Sequence, residues 1–317
     1  MAAFAALPSP LQGALWMSLA AIGAAVMTSI IRHLTVSLPP LELAFLRNLF
    51  GLLFVVPWLL RTGGAGLRTS SFQKYGLRAL LGCVAMICWF TALAYLPVAE
   101  ATSLSFTAPI FASILAMVFL GERAGVRRWA AIIVGFFGAL IILRPGFEET
   151  SPAALLLLFG SLAVAGSVIM VKVLSRTESS SAIVTYMSLY MAPMLLLPTI
   201  FVWQTPSWEM LPWLIAMGGF GTLTQWAMTQ AYASADATAV LPFDYLRLPC
   251  VAVIGYLAFG EAPDLWTWIG AAVIAVSSIY IAHREATRAR RHKVAAEAPG
   301  LPDISLAVTD RKDRKAG

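Results

Sequence analysis

Two ionisable residues, Asp244 and Arg247, stand three apart inside an otherwise apolar stretch that runs from Tyr232 to Glu261 and is interrupted by Pro242 and Pro249. On a helix this spacing puts both on one face, where they either neutralise each other or hold a polar solute. A charge at the centre of a lipid-crossing helix costs about 2.5 to 3.5 kcal/mol, so such groups turn toward a partner or a watery space. Each proline lacks an amide hydrogen and frees the carbonyl four residues back, at Thr238 and Tyr245. Broken backbone at membrane depth is tolerated where it lines a cavity or is covered by protein. A rise of about 1.5 Å per residue from Asp236 sets Arg247 roughly 16 Å deep, near the midplane. The ninth helix of the chain is therefore expected to be kinked or discontinuous, with its polar groups facing inward.

Other residues could complete a site. Arg47, flanked by Glu42 and Asn48 in a second apolar stretch, carries a planar fork suited to a carboxylate or phosphate. Pairing with Glu42 or with helix-end carbonyls is the alternative. Gln225 follows the small residues Gly218, Gly219 and Gly221, together with Thr222 and Thr224, and such groups either line a site or bond across closely packed helices. Phe106, Trp226 and Tyr245 are suited to stacking on a flat or cationic solute, or to filling the bundle. The substrate-binding candidates are thus Arg47, Asp244 and Arg247 as polar anchors, with Phe106, Gln225, Trp226 and Tyr245 lining the space between. His33, His283 and His292 fall in loops or at helix ends, which leaves Asp244, the deepest acid, as the candidate if a proton is carried.

Catalysis is poorly supported. The chain has no HExxH zinc pattern, no GxxxxGK[ST] nucleotide loop and no serine with a histidine base at depth. Its three cysteines, Cys83, Cys88 and Cys250, lie in apolar segments without metal-ligand spacing, so neither a metal nor a cofactor is expected.

The elements that must position these residues are membrane helices. Of 317 residues 59% are hydrophobic and 12% charged, against roughly 25% charged in soluble domains. Segments alternating apolar and polar, as a barrel requires, are missing. Ten helices are expected, at about 11 to 31, 41 to 60, 75 to 95, 99 to 120, 125 to 143, 152 to 172, 180 to 203, 209 to 230, 237 to 259 and 264 to 283. Fourteen Lys or Arg lie in loops on one side and in the first part of the tail, whereas Arg32 and Arg144 alone lie on the other. The positive-inside rule then puts both termini in the cytoplasm. The tail from Arg284 holds nine Lys or Arg against five Asp or Glu, which suits an anionic inner leaflet better than nucleic acid.

Tyr95 to Glu122, YLPVAEATSLSFTAPIFASILAMVFLGE, resembles the Tyr232 to Glu261 stretch in its opening tyrosine, its acid-Ala-Thr triplet and its closing Gly-Glu. From the acid to the final glutamate is 22 residues in the first copy and 25 in the second. Five helices per copy is odd, so the second copy crosses in the opposite sense, an inverted repeat. The expected architecture is an all-α membrane protein: a short tail at 1–10, a first five-helix repeat at 11–145, a second at 150–283, and a basic, disordered cytoplasmic tail at 284–317.

With its double Gly-Glu signature, the span from about 11 to 283 closely resembles the EamA type of the drug/metabolite transporter superfamily. The runs AlaThrSerLeuSerPheThrAlaPro and LeuProPheAspTyrLeuArgLeuPro look most like the S-adenosylmethionine and riboflavin uptake group. The resemblance implies a multi-pass inner-membrane permease that moves a small organic metabolite by alternating access at a central cavity, without a bound cofactor. Helices one to four and six to nine would enclose that cavity. Besides substrate and lipid, a coupling ion (proton or sodium) and a second copy of the chain are candidate partners. The alternative is a receptor or assembly partner that keeps the transporter fold without transport.

Overall fold

The computed structural model describes residues 9–61, 71–120, 126–144, 151–174, 180–234, 240 and 243–297, and the regular structure among these described residues is entirely helical. In chain order the helices are α1 (Ser9–Leu34), α2 (Pro40–Arg61), α3 (Phe72–Tyr95), α4 (Val98–Ser105), α5 (Ala108–Leu120) and α6 (Val126–Leu143). There follow α7 (Pro152–Leu174), α8 (Ser180–Thr199), α9 (Leu211–Ser234), α10 (Arg247–Phe259) and α11 (Leu265–Glu297). A single 3₁₀ turn, Trp208–Met210, leads into α9.

Local chemistry explains the boundaries. α2 begins at Pro40, where a missing amide hydrogen does no harm because first-turn amides have no partner inside the helix. α3 stops at Tyr95: Leu96 donates its amide to Ala92 O at 2.8 Å and is itself extended, as a residue before proline must be, and α4 begins directly after Pro97. α10 ends on Gly260, whose φ of 68° is a left-handed cap that glycine adopts without steric cost.

Among the described residues four segments are long and apolar enough to cross a membrane: Leu11–Leu34, Phe72–Tyr95, Val98–Phe119 and Pro152–Val171, the third being α4 and α5 together. Leu43, Leu93, Leu104, Leu157, Leu195 and Leu214 are fully buried at the centre, while Phe137, Leu197, Leu257 and Val276 stand exposed on the outside. A molecule with large side chains greasy at both centre and rim is built for lipid. Trp203, Trp208, Trp213 and Trp266 are also exposed. His33 at the end of α1 lies 5.0 Å from Trp213, ring centre to ring centre, and neighbouring Arg32 reaches Glu261, so the α8–α9 and α10–α11 links share one end of the bundle. Indole prefers such an interface.

The most extensive contacts between the first and second halves come in matched pairs. α1 packs along α9 as α3 packs along α7, and α2 lies on α9 as α3 lies on α8. α10 rests on α1 as α4 and α5 rest on α7. Three contacts are their own counterparts: α2 with α8, α6 with α11, and α4 with α10. The first and second halves therefore clasp each other instead of forming two separate bundles.

Two differences from the sequence expectation stand out. The fourth span, expected as one helix, is divided at Phe106 and Thr107. α11 also continues for 33 residues to Glu297, so the first part of the tail expected to be disordered is helical.

Candidate functional site

The division of the fourth span is made by its own side chains. Phe106 and Thr107 donate their amides to Ser103 O and Leu104 O, three residues back, at 3.2 and 3.0 Å, which tightens the last turn of α4. The hydroxyls of Ser105 and Thr107 cap Thr102 O and Leu104 O, both at 2.7 Å. Carbonyls at a helix end are thereby satisfied without water. α5 resumes at Ala108 with Pro109 in its first turn.

The ninth span has a matching break at Tyr245 and Leu246, between a short helical segment at Phe243–Asp244 and α10. The carbonyl of Tyr245, which Pro249 cannot serve, instead accepts the amide of Leu248 at 3.1 Å. Asp236, Thr238 and Pro242 lie outside the described residues.

The two breaks touch. The rings of Phe106 and Tyr245 are 4.5 Å apart between centroids, inclined at 46°. Arg247 lays its guanidinium carbon 4.7 Å from the centre of the Phe106 ring, a cation–π arrangement. Phe106 and Tyr245 each stand 16 residues before the glutamate of their own Gly-Glu, and Ala108 and Arg247 each stand 14 before it. Equivalent positions of the two copies thus meet, and only one copy brings a cation. From α11, Ser278 donates its hydroxyl to Phe106 O at 3.3 Å and so steadies the first break.

Asp244 and Arg247 form only a loose pair. Their closest approach is 4.0 Å, too long for a hydrogen bond, and Arg247 Nε is buried with no partner. Packing alone would favour closer contact, so donor capacity is left over.

Arg47 sits on α2 where α2 and α9 approach most closely. A methyl group added at Gly218 would come within 2.5 Å of Phe50 Cβ, and one at Gly221 within 3.1 Å of the Arg47 guanidinium. These glycines allow the arginine to lie flat against the α9 backbone. Among the described residues Arg47 makes no hydrogen bond or ion pair. Glu42, its expected alternative partner, is fully buried and instead accepts the Gln204 amide at 2.9 Å. Gln225 and Trp226 are exposed on α9, Trp226 set edge-on to Trp16 of α1 at 4.8 Å. The structure therefore brings Phe106, Asp244, Tyr245 and Arg247 together and shows no ring contact from Trp226 to that group. Among the described residues no cluster of His, Cys, Asp or Glu could hold a metal ion.

Two ion pairs that sequence reasoning missed lie at one end. Arg32 gives Nε and Nη2 to Glu261 Oε1 at 3.1 and 2.9 Å, and Nη1 to Leu93 O and Ala94 O at 3.1 and 2.8 Å. Glu261 Oε2 accepts the Val98 amide at 2.9 Å. Nearby, Arg144, which ends α6 with a φ of 43°, pairs with Asp264, and Asp264 caps α11 by accepting the Thr267 amide at 2.8 Å. Partial burial pushes the Asp264 carboxyl up, but the Thr267 hydroxyl and amide and the Arg144 charge prevail and hold it below the ordinary aspartate value. The available signal was that the side poor in Lys and Arg has only Arg32 and Arg144, facing a loop that offers two acids.

An all-helical, lipid-clad bundle whose halves interlock around two broken spans is the architecture of a multi-pass membrane transporter, not of an enzyme. The chain belongs to the EamA-like transporter family, which matches it twice, over residues 11–144 and 151–282. It is 36% identical to a riboflavin transporter of Vibrio cholerae, across 90% of this chain and 97% of that one. It is also 36% identical to a riboflavin transporter of Rhizobium johnstonii, across 88% and 93%. Identity to an S-adenosylmethionine uptake transporter of Rickettsia felis is 31%, across 91% and 98%. A crystal structure with 20% identity superposes with a TM-score of 0.58, covers 87% of this chain and 98% of its own, and shares the fold.

Proposed function

We propose that this chain carries a flat, uncharged heteroaromatic metabolite of the riboflavin kind across the inner membrane by alternating access. In this reading two inverted five-helix repeats, residues 11–145 and 150–283 with both termini in the cytoplasm, rock about a midplane site. The observation that carries it is the Arg247 guanidinium over the Phe106 ring, which packs against Tyr245 where the two breaks meet. Tyr245, half-buried beside the buried Phe106, offers a ring for stacking on a flat solute, and arginine donors suit the carbonyl oxygens and nitrogens along that solute's edge. Arg47, which makes no hydrogen bond or ion pair among the described residues, is the second polar anchor, and Gln225 and Trp226 line the approach. The riboflavin transporters among the relatives, matched over nearly their whole length, support the same substrate class.

A second reading, S-adenosylmethionine, is favoured by the Rickettsia relative. Two arginines against the single carboxylate of Asp244 oppose a sulfonium cation, so it ranks lower. Either substrate calls for a driving ion, proton or sodium, or for exchange. Purified protein in proteoliposomes is expected to take up riboflavin in a saturable manner, with excess unlabelled riboflavin competing far better than S-adenosylmethionine. Strong inhibition by S-adenosylmethionine alone would transfer the assignment to the second reading. Absence of flux for every solute, with a stable bound partner, would instead favour a receptor.

A further inference from the structure

We propose that Arg32 and Glu261 are the residues that shut the outer face during transport, a releasable clasp between the two halves; this rests on the inverted-repeat reading above. Arg32, Leu93, Ala94 and Val98 all belong to the first half, and Glu261 alone comes from the second. One carboxylate and the guanidinium it holds therefore connect the end of α1, the end of α3, the start of α4 and the loop after α10.

The chemistry of these partners distinguishes a clasp from a fixed brace. The carbonyls of Leu93 and Ala94 and the amide of Val98 are groups that a helix end leaves without partners inside the helix. Here Arg32 and Glu261 serve them; when the halves separate on this side, water serves them instead. The side chains of Arg32 and Glu261 are 24% and 18% exposed, so the pair lies at the surface of the bundle and not in its core. A bond whose every partner can be exchanged for water breaks and reforms at modest cost. The clasp is also well placed to sense the site. Glu261 follows the cap of α10, whose first residue is Arg247, and Val98 begins α4, which ends one residue before Phe106. α4 and α10 are in direct contact, and a methyl group added at Gly255 of α10 would lie 2.8 Å from Val98 Cγ2. Movement of either broken span at the Phe106–Tyr245 junction is thus delivered as a short rigid rod to one partner of the clasp. The neighbouring Arg144–Asp264 pair joins α6 to α11, which already pack along their length, and so serves as the stationary comparison.

The test reads which face is open and needs no substrate. In a chain with Cys250 replaced by Ser, leaving Cys83 and Cys88 buried, a single cysteine is placed at the partly exposed Ala108, just beyond the first break. A membrane-impermeant maleimide is then applied from outside to right-side-out vesicles. Glu261→Gln is expected to raise the labelling rate about tenfold or more, the shift that loss of a coupling of this class gives, while Asp264→Asn leaves it unchanged. Equal rates in the clasp variant and its parent would overturn the proposal, as would equal acceleration by Asp264→Asn, which would mean general loosening. Glu261→Asp, which keeps the charge, is expected to label more slowly than Glu261→Gln; a rate as fast would count against the clasp. Failure of the unmodified protein to move riboflavin would refute the substrate assignment and leave the labelling result standing.

Discussion

The fourth and ninth spans are the same segment written twice, and they differ where it matters most. Both break two residues before a helix restarts, and both present an aromatic ring at the break, Phe106 in one and Tyr245 in the other. The fourth span has Ala108 where the ninth has Arg247, and hydroxyls of Ser105 and Thr107 where the ninth has Asp244 and Leu246. The fourth span is closed on itself, since its hydroxyls bond its own carbonyls. The ninth leaves a guanidinium nitrogen without a partner and a carboxylate only loosely engaged. In the proposed site one copy supplies a wall and the other supplies the charged groups. The loops that follow diverge too: Arg123, Arg127 and Arg128 after the fourth, Glu261 and Asp264 after the ninth.

The largest expected effect comes from erasing that difference. Arg247→Ala gives the ninth span the side chain of the fourth and is expected to lower riboflavin uptake about tenfold or more, as losing a charged hydrogen-bond donor to the substrate costs about 1.5 kcal/mol or more. Ala108→Arg does the reverse and is expected to weaken uptake through repulsion without restoring it in an Arg247→Ala background. Full activity of the single Arg247 variant would show that the asymmetry is ornamental. Next come the rings: Phe106→Leu and Tyr245→Leu each lose an aromatic contact of about 0.5 to 1.5 kcal/mol. Each should therefore raise the KM for riboflavin by up to about tenfold, with Tyr245→Phe near the parent. The smallest effect concerns the loops. Asp264 has a lowered carboxyl pKa in the fold, so its contribution to stability is complete above the ordinary aspartate range. It is lost as the pH falls from there through the lowered value. Asp264→Asn is expected to flatten that acid limb of a melting-temperature profile and leave the neutral region almost unmoved, because an exposed pair contributes little.

The same contrast explains what could be read from the chain beforehand. The ninth break was legible because proline and charge are expensive in lipid and announce themselves. The fourth was not, because serine and threonine bond to their own backbone and look in sequence like ordinary helix; Pro109 alone hinted at it. The role proposed for Arg47 was half legible. Its type and depth were plain, but that Glu42 is taken by Gln204 depends on the path of the α8–α9 link, which no local pattern encodes. The clasp between Arg32 and Glu261 spans 229 residues of sequence and follows only from how the halves interlock. Apolar length marked out the helices well, since lipid sets it directly.

The contact between Phe106 and Tyr245 carries a lesson about ancestry. Were this assembly made from two separate identical chains, anything placed beside their shared axis would occur in duplicate, and a cation at the position of Arg247 would confront its twin across a gap of a few ångströms. Joining the copies end to end frees each to mutate alone, so a solitary positive group can sit beside a ring that remains paired. A lopsided ligand, one edge rich in acceptors and the other bare, then meets a receptacle as lopsided as itself.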